Sequence, residues 1–160
     1  MNAATRLAGR EDLESLGYLR WQFDHEGQED GDPEARLQFI ADFVESQDDR
    51  LFHWLAEVNG GTVAVMSIRK VKKVPKLGAL DRYWGYLTNC YVLPDYRNQG
   101  IGTELLSALT NWAKEEQLEL LIVWPSDRSC PFYDRAGFQR HPDPLVLQIN
   151  DNLGQLKSKR

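Results

Sequence analysis

The residues of clearest chemical meaning form a short glycine-containing turn, Arg97-Asn98-Gln99-Gly100-Ile101-Gly102. An apolar, β-prone run from Leu87 to Leu93 stops at Pro94 before this turn, and a long helical pattern follows it. Glycines in the first turn of a helix let the backbone approach a ligand closely, and the N–H groups there form an anion site with the positive end of the helix dipole. The order of strand, turn and helix therefore predicts a phosphate-bearing cofactor at this turn.

The glycine spacing, R-x-x-G-x-G, differs from the patterns of dinucleotide sites and of nucleotide-triphosphate loops. A second segment lies downstream and reads Phe132-Tyr133-Asp134-Arg135-Ala136-Gly137-Phe138. Together with Val92-Leu93-Pro94 before the turn, these segments resemble the signatures of the GNAT superfamily of acyl-CoA-dependent N-acyltransferases, in particular its small bacterial-type N-acetyltransferases. Both motifs occur in the family's order, separated by a helix and an apolar strand, so the resemblance covers essentially the whole chain.

The resemblance implies a site for acetyl-CoA as co-substrate and no metal. The pyrophosphate is expected on the turn and the first helical residues, which are Arg97, Asn98, Gln99, Gly100, Ile101, Gly102 and Thr103. The family's strand bulges seven residues before Arg97, at Cys90, whose backbone N–H is expected to polarise the thioester carbonyl. Tyr91 and Val92 are expected to pair with the pantetheine amides.

Tyr133 matches the tyrosine that many members of the family use as general acid toward the leaving thiolate. A phenol, with an ordinary pKa of about 10, keeps its proton at neutral pH and can donate it. The alternative is a tyrosine that packs on the sheet with its hydroxyl in water. Where many relatives carry an asparagine that contacts the cofactor arm, this chain has Ser126, with Ser129 as the other candidate. Cys90 as a covalent nucleophile is the less favoured reading, because no base neighbours it in the sequence.

The motifs do not supply the general base that must deprotonate an acceptor amine. Relatives often carry a glutamate on one of two central strands, whereas Tyr83–Leu93 holds no acid and the next strand offers only Glu119. A water chain could instead lead to an acid or histidine nearby, and the candidates are Asp24, His25, Glu26 and His53. Each of them also fits an ordinary solvated surface residue, which is the commoner state of charge-rich loops.

A strongly acidic segment, Asp24–Asp49, holds ten carboxylates and a single arginine. In the family this region walls the acceptor site. Trp21 and His25, beside Asp24 and Glu26, are expected to hold a cationic amine by charge and by ring faces. The resemblance thus implies direct attack on acetyl-CoA in a ternary complex by a small cationic amine, an amino sugar or a peptide amine.

Composition narrows the classes of protein that the chain can represent. Its net charge of −5 and pI near 5.2 argue against a nucleic-acid partner, which requires a surplus of Lys and Arg. No apolar run approaches the length of a membrane span, and the first residues lack the apolar core of a secretory signal. Cys90 and Cys130 match no metal-site spacing and make no disulfide framework. A cytoplasmic location without membrane contact is therefore expected.

The elements that position these residues follow from the periodicity of the apolar side chains. Strands are predicted at Thr5–Leu7, Phe52–Val58, Thr62–Val71, Leu87–Leu93, Leu118–Trp124, Phe138–Arg140 and Leu145–Ile149. Helices are predicted at Arg10–Phe23, at Pro33–Val44, after Gly100 and within Ser126–Ala136. This order, β1-α1-α2-β2-β3-β4-α3-β5-α4-β6-β7, predicts one α/β (α+β) domain over residues 3–150 and a frayed tail at 151–160. The resemblance implies a mixed, mostly antiparallel GNAT-like sheet of six to seven strands, flanked by helices, in which β4 and β5 splay apart.

Two other functions fit the same sequence. One is a CoA-binding sensor or regulatory module that transfers nothing, suggested by the missing strand glutamates and by Ser126. The other is an interaction domain without a cofactor, whose acidic face binds a basic protein. Either a monomer or a homodimer is compatible with the sequence, since the edge strands β1 and β7 offer dimer seams.

Overall fold

The computed structural model of the chain describes residues 3–141 together with residues 145, 147 and 149. Its strands are β1 (Ala4–Leu7), β2 (Leu51–Val58), β3 (Gly61–Lys72), β4 (Tyr83–Val92) and β5 (Leu121–Val123). Its helices are α1 (Leu13–Asp24), α2 (Pro33–Glu45), α3 (Ile101–Glu115) and α4 (Cys130–Arg135), and short 3-10 turns precede α1 and α3. The described residues fall into two compact units, divided between Trp124 and Pro125, and each unit is described by itself below.

The first unit is built on one five-stranded sheet in the order β1-β2-β3-β4-β5. All neighbouring strands pair antiparallel except β4 and β5, which run parallel. The predicted class, a mixed and mostly antiparallel sheet flanked by helices, is confirmed. The number of strands differs, because the sheet of the described residues has five strands and not six or seven.

Local sequence signals account for the turns that fix this sheet. Asp32 caps α2, its carboxylate accepting the amides of Glu34 and Ala35, and Pro33 stands at the first helical position. Asn59 and Gly60 both have positive φ and form the two-residue turn that returns β2 into β3. The helix and the hairpin therefore begin and turn where the sequence predicts.

The two faces of the sheet carry different helices. Trp112 of α3 packs on Phe52 and Trp54, which alternate along one face of β2. On the other face, Leu55 and Val65 join a buried cluster with Leu16 and Leu19 of α1 and with Tyr91. This second face, under α1, is the one that carries the candidate site.

Helix α2 is less buried than its pattern predicts. The spacing of Leu37, Ile40, Phe43 and Val44 along the helix predicts one buried apolar stripe, but Leu37 is 67% exposed. The helix approaches α1 at Gly17, where a Cβ would lie 3.2–3.3 Å from Phe43 and Ile40. Because this close crossing covers only one side of α2, the burial predicted for Leu37 is wrong.

Helix caps explain why two predicted strands are shorter or missing. Gln117 has a φ of +56° and the amide of Leu118 donates to the carbonyl of Ala113, so Leu118 closes α3 and β5 begins later. In the second unit, the amide of Phe138 donates to the carbonyl of Tyr133 after Gly137, which has a φ of +89°. Since Phe138 ends α4 in this way, residues 138–140 do not form the predicted strand. The last predicted strand, Leu145–Ile149, falls largely outside the described residues.

Candidate functional site

A β-bulge in β4 stands at the centre of the candidate site. The pairing with β3 passes from Ser67 opposite Thr88 to Val65 opposite Tyr91, so that Asn89 and Cys90 together face one residue. Asn89 has a φ of +49°, a conformation that asparagine tolerates better than most residues. The bulge thus occurs at Cys90, as the resemblance implies, and the backbone amides change direction there.

The half-buried side chain of Cys90 lies against its own strand. Its Sγ donates to the carbonyl oxygen of Thr88 at 3.4 Å.

The parallel pairing of β4 with β5 ends before the bulge. It joins Gly85 to Leu121, Tyr86 to Ile122 and Leu87 to Val123. β4 then continues through Thr88–Val92, beyond the last residue of β5. The arrangement is consistent with the predicted divergence of the two strands, and it puts Cys90, Tyr91 and Val92 in the part of β4 that β5 does not cover.

The turn before α3 has the backbone of an anion site. Asn98 and Gly100 have φ of +60° and +86°, and Gly100 is the N-cap of α3. Glycine offers no side-chain oxygen to the first helical amides, those of Ile101, Gly102 and Thr103, and these have no acceptor within the helix. A Cβ on Gly100 would meet nothing within 4 Å, so the glycine is needed for its backbone conformation and not for lack of space.

Arg97 links this turn to the acidic segment after α1. Its Nη1 and Nη2 donate to the two carboxylate oxygens of Glu26 at 2.7 and 2.6 Å, and this hydrogen bonding raises the pKa of the guanidinium. Its Nε donates to the carbonyl oxygen of Val92 at 2.9 Å, and the guanidinium lies 5.5 Å from the ring centre of Tyr91. A residue predicted to contact the cofactor and one predicted to contact the acceptor are therefore held together.

The C-terminal half of α1 lies on β4 beside the bulge. The ring of Phe23 stacks on that of Tyr91 at 4.9 Å, and Arg20 lies over Phe23 at a similar distance. Arg20 also donates to the carboxylate of Asp24 at 2.7 Å and, at 3.5 Å, to the side-chain oxygen of Asn89. Asp24, predicted from its acidic surroundings, is thus brought near the bulge through Arg20, which the sequence did not single out.

Trp21 and His25 have a different environment from the one predicted. Trp21 is 8% exposed, with its ring 4.0 Å from that of His25 and in contact with Phe39. Its indole N–H donates to the carbonyl of Asp30, and Nδ1 of His25 lies 2.9 Å from the carbonyl of Trp21. This packing argues against the expected contact of the indole face with an acceptor amine. Trp21 is instead buried under the loop that joins α1 to α2.

His53 is buried, which is contrary to the solvated surface position considered for it. It is 5% exposed, and burial together with the nearby charge of Arg69 lowers its pKa to about 4. Its ring nitrogens lie 2.6 Å from Oγ of Ser67 and 2.7 Å from Oε1 of Gln47. Glu119, the one acid of the β5 region, is held by Lys73 and Arg82, which lower its pKa.

In the second unit the three predicted residues lie close together. The hydroxyls of Ser126 and Ser129 are 3.0 Å apart, and the amide of Tyr133 donates to the carbonyl of Ser129. Tyr133 is 5% exposed, and its ring makes edge contacts with Phe132 and Phe138. Among residues 3–141, 145, 147 and 149, no cluster of three or more His, Cys, Asp or Glu side chains could hold a metal ion. No helix in this part of the chain is long and apolar enough to span a membrane.

Comparison with known proteins adds a family to this geometry. The model of the "Acetyltransferase (GNAT) family" matches residues 13–138. A curated relative, glucosamine 6-phosphate N-acetyltransferase of Trypanosoma brucei brucei, is 29% identical over 75 residues, which are 47% of this chain. The matched region spans about half of that relative, 51% of its length.

Solved structures match over nearly the full length. A predicted acetyltransferase with acetyl-CoA from Clostridium acetobutylicum is 27% identical and superposes with a TM-score of 0.70, over 92% of this chain and 96% of that one. Glucosamine-6-phosphate N-acetyltransferase from Arabidopsis thaliana shares the fold at 14% identity, with a TM-score of 0.67 over 94% and 100% of the two chains. Ribosomal-protein-alanine N-acetyltransferase from Brucella melitensis biovar Abortus does so at 16% identity, with a TM-score of 0.69 over 92% and 99%.

Proposed function

Because the chain belongs to the acetyltransferase (GNAT) family, we propose that it transfers the acetyl group of acetyl-CoA to a primary amine by direct attack in a ternary complex. The observation that carries this proposal is the bulge at Asn89–Cys90, which lies in the part of β4 that β5 leaves uncovered. In the reaction the amine nitrogen bonds to the acetyl carbon, the carbon–sulfur bond breaks with its electron pair on sulfur, and the amine loses a proton.

The residues present fit acetyl-CoA as co-substrate. The amides of Ile101, Gly102 and Thr103, at the positive end of α3, suit the diphosphate, and the positive φ of Gly100 keeps the approach free of side-chain atoms. Asn98, Gln99 and Arg97 border the same turn. The guanidinium of Arg97 would contact phosphate only in competition with the carboxylate of Glu26, so we assign the main contact to the backbone.

Backbone groups of β4 would act on the thioester. We assign to the Cys90 amide the polarisation of the carbonyl, and to Tyr91 and Val92 the pairing with the pantetheine amides, because this part of β4 extends beyond the last residue of β5. Ser126 and Ser129 are proposed as further contacts of the cofactor arm. The thiol of Cys90, which donates to its own strand, has no part in this scheme.

Tyr133 is proposed as the general acid that gives a proton to the departing sulfur. Its phenol needs no prior ionisation at neutral pH to do so. Tyr133→Phe is therefore expected to lower kcat about 10- to 100-fold, while the Kd of CoA changes little. Phe132→Leu, a change in the neighbouring ring, is the matched control and should leave kcat within about twofold.

The acceptor is proposed to be a cationic amine: a polyamine-like compound, an amino sugar or a peptide amine. Asp24, at the end of α1, and Glu26 and Glu29, in the loop that follows, are exposed carboxylates, and they favour a positive ligand. The curated relative is named for glucosamine 6-phosphate, an amino sugar that carries a phosphate. In this chain such a phosphate would be repelled by the carboxylates, so an acceptor without a phosphate fits better. Asp24, His25 and Glu26 are proposed as the candidates for receiving the amine proton through water, whereas His53 is buried.

A thiol-release assay with acetyl-CoA over a panel of polyamines, aminoglycosides, amino sugars, amino acids and peptides tests the proposal. We expect turnover with at least one cationic amine, together with CoA binding by calorimetry. CoA binding without thiol release from any amine would instead favour the sensor function. No binding of CoA at all would reject both and leave an interaction domain.

A further inference from the structure

Three polar side chains on adjacent strands form a chain of hydrogen bonds under α1. His53 of β2 and Ser67 of β3 are directly opposite each other and are 5% and 1% exposed. Their atoms Nδ1 and Oγ are 2.6 Å apart, and Nδ2 of Asn89 in β4 donates to the same Oγ at 3.2 Å. Buried polar atoms are rarely left without partners, so a chain of this kind has to be complete to be tolerated.

The ends of the chain fix the direction of every hydrogen bond. Nε2 of Gln47 donates to the carbonyl of Phe43, so the oxygen of Gln47 faces His53 and accepts from its Nε2–H at 2.7 Å. The ring is neutral at pH 7, and its Nδ1 therefore accepts the Ser67 hydroxyl. At the other end Arg20, which can only donate, faces the oxygen of Asn89, so the Asn89 amide group donates to Ser67.

The last member of the chain is also the residue that makes the bulge. Asn89 has its backbone in the left-handed region, which an L side chain enters at a cost. Its side chain is held on one side by Ser67 and on the other by Arg20. The next residue is Cys90, whose amide direction depends on the φ and ψ of Asn89.

We propose that His53, Ser67 and Asn89 are positioning residues of the active site, which hold the β4 bulge so that the Cys90 amide points at the thioester carbonyl. This inference rests on the function proposed above. This row of hydrogen bonds does not conduct protons, because its two ends are the side-chain amides of Asn89 and Gln47, which do not titrate. His53 therefore acts through Ser67 and Asn89, and not as the general base.

Ser67→Ala is the sharpest test, since it removes the hydroxyl in the middle of the chain and changes the side-chain volume little. We expect kcat to fall about 10- to 100-fold, which is no more than the fall caused by removing one oxyanion-hole donor. The Kd of CoA should change by less than about threefold. Ile68→Val, at the next position on the same strand, is the matched control. It should lower Tm by a few degrees and leave kcat within about twofold.

Asn89→Gly is the second variant, because glycine keeps the left-handed backbone at no cost and deletes only the side chain. It should lose kcat as Ser67→Ala does, and it decides alone if Ser67→Ala does not fold. Activity within about twofold of wild type in the folded variants would overturn the proposal. If the wild-type chain binds CoA but acetylates no amine, the proposed function fails while the positioning role is still open. Amide hydrogen exchange then decides whether the three side chains hold the bulge. Faster exchange at Cys90 in Ser67→Ala than in Ile68→Val supports the positioning role, and equal exchange overturns it.

Discussion

Two polar networks meet at Asn89, and they differ in almost every physical respect. In the first network, Gln47, His53 and Ser67 are neutral and have a single arrangement of hydrogen-bond donors and acceptors. Toward solvent, Arg20 pairs with Asp24, and Arg97 pairs with Glu26, through charged groups that are between 22% and 44% exposed. His53 and Ser67, at the centre of the first network, are shielded from water, whereas water competes with every contact of the second.

The difference indicates which parts of the site are fixed and which adapt. A buried donor or acceptor that loses its partner costs about 1–3 kcal/mol, whereas an exposed ion pair contributes about 0–1 kcal/mol. The buried network can therefore set the geometry of the bulge. The exposed network can open for an acceptor or a cofactor at little cost, which suits a surface where substrates enter and leave.

Truncation of His53 should give the largest effect. His53→Ala leaves a cavity beside Phe43 and removes the partners of Ser67 and Gln47, so the free energy of unfolding should fall by about 2–4 kcal/mol. Urea denaturation measures the change. Arg20→Ala, in the exposed network, is the contrast and should cost less than half as much. Similar losses in the two variants would remove the energetic distinction between the networks.

The next largest effect is the pH dependence of the free energy of unfolding, which reports on His53 in the buried network. The pKa of His53 is about 4 in the folded chain and about 6.5 when it is unfolded, so protons bind the unfolded state more readily. The neutral ring thus contributes stability that is present above pH 6.5 and is lost as the pH falls toward 4. The loss between pH 7 and pH 5 should be about 2 kcal/mol.

Unfolding of wild type and of His53→Gln, compared from pH 7 to pH 4.5, isolates this effect. Glutamine stays neutral throughout, and titration of the acidic side chains cancels in the difference between the two proteins. The stability difference should move in favour of His53→Gln as the pH falls. Parallel curves would mean that His53 is not desolvated as the structure implies.

A smaller effect on stability is expected from the ion pair of Arg97 with Glu26, which joins the turn before α3 to the loop after α1. Glu26→Gln should change the free energy of unfolding by no more than about 1 kcal/mol. It releases Arg97 from a carboxylate that competes with phosphate, so the Kd of CoA should fall about two- to fivefold at low salt. Glu29→Gln on the same loop is the control by calorimetry and should change this Kd less. Weaker CoA binding in Glu26→Gln would show instead that the ion pair holds the turn in its binding form.

The sequence predicts the parts of the site that depend on a few neighbouring residues. The start of α2 at Pro33, the hairpin turn after Val58 and the glycine turn before α3 are local, and each is found where predicted. The bulge at Cys90 came from the family resemblance and not from the residues themselves. An asparagine inside an otherwise apolar strand is the signal that could have located it from the sequence.

The buried network depends on the register of three strands and could not be predicted in this way. His53 and Ser67 are separated by a hairpin, and only the antiparallel pairing puts them opposite each other. The environment of Trp21 depends on tertiary structure in the same way, because its packing against His25 requires the loop before α2 to fold back. Exposure of a polar or aromatic side chain is a tertiary property, and the sequence favoured a solvated surface position for His53.

The smallest expected effect concerns Asp24, whose side chain is 44% exposed and pairs with Arg20, the residue that donates to the side-chain oxygen of Asn89. Asp24→Asn should leave the unfolding midpoint within error and kcat unchanged. Its one measurable consequence should be a two- to fivefold rise, as an order of magnitude, in the KM of a cationic acceptor at low salt, because a negative charge is lost from the entrance. The rise should disappear at about 0.5 M salt, where exposed charges are screened. Glu34→Gln, an exposed acid in the first turn of α2, is the matched control and should not change KM. A tenfold fall in kcat for Asp24→Asn, independent of salt, would instead give Asp24 a part in the chemical step, either as the group that receives the amine proton or as the charge that orients Arg20 on Asn89.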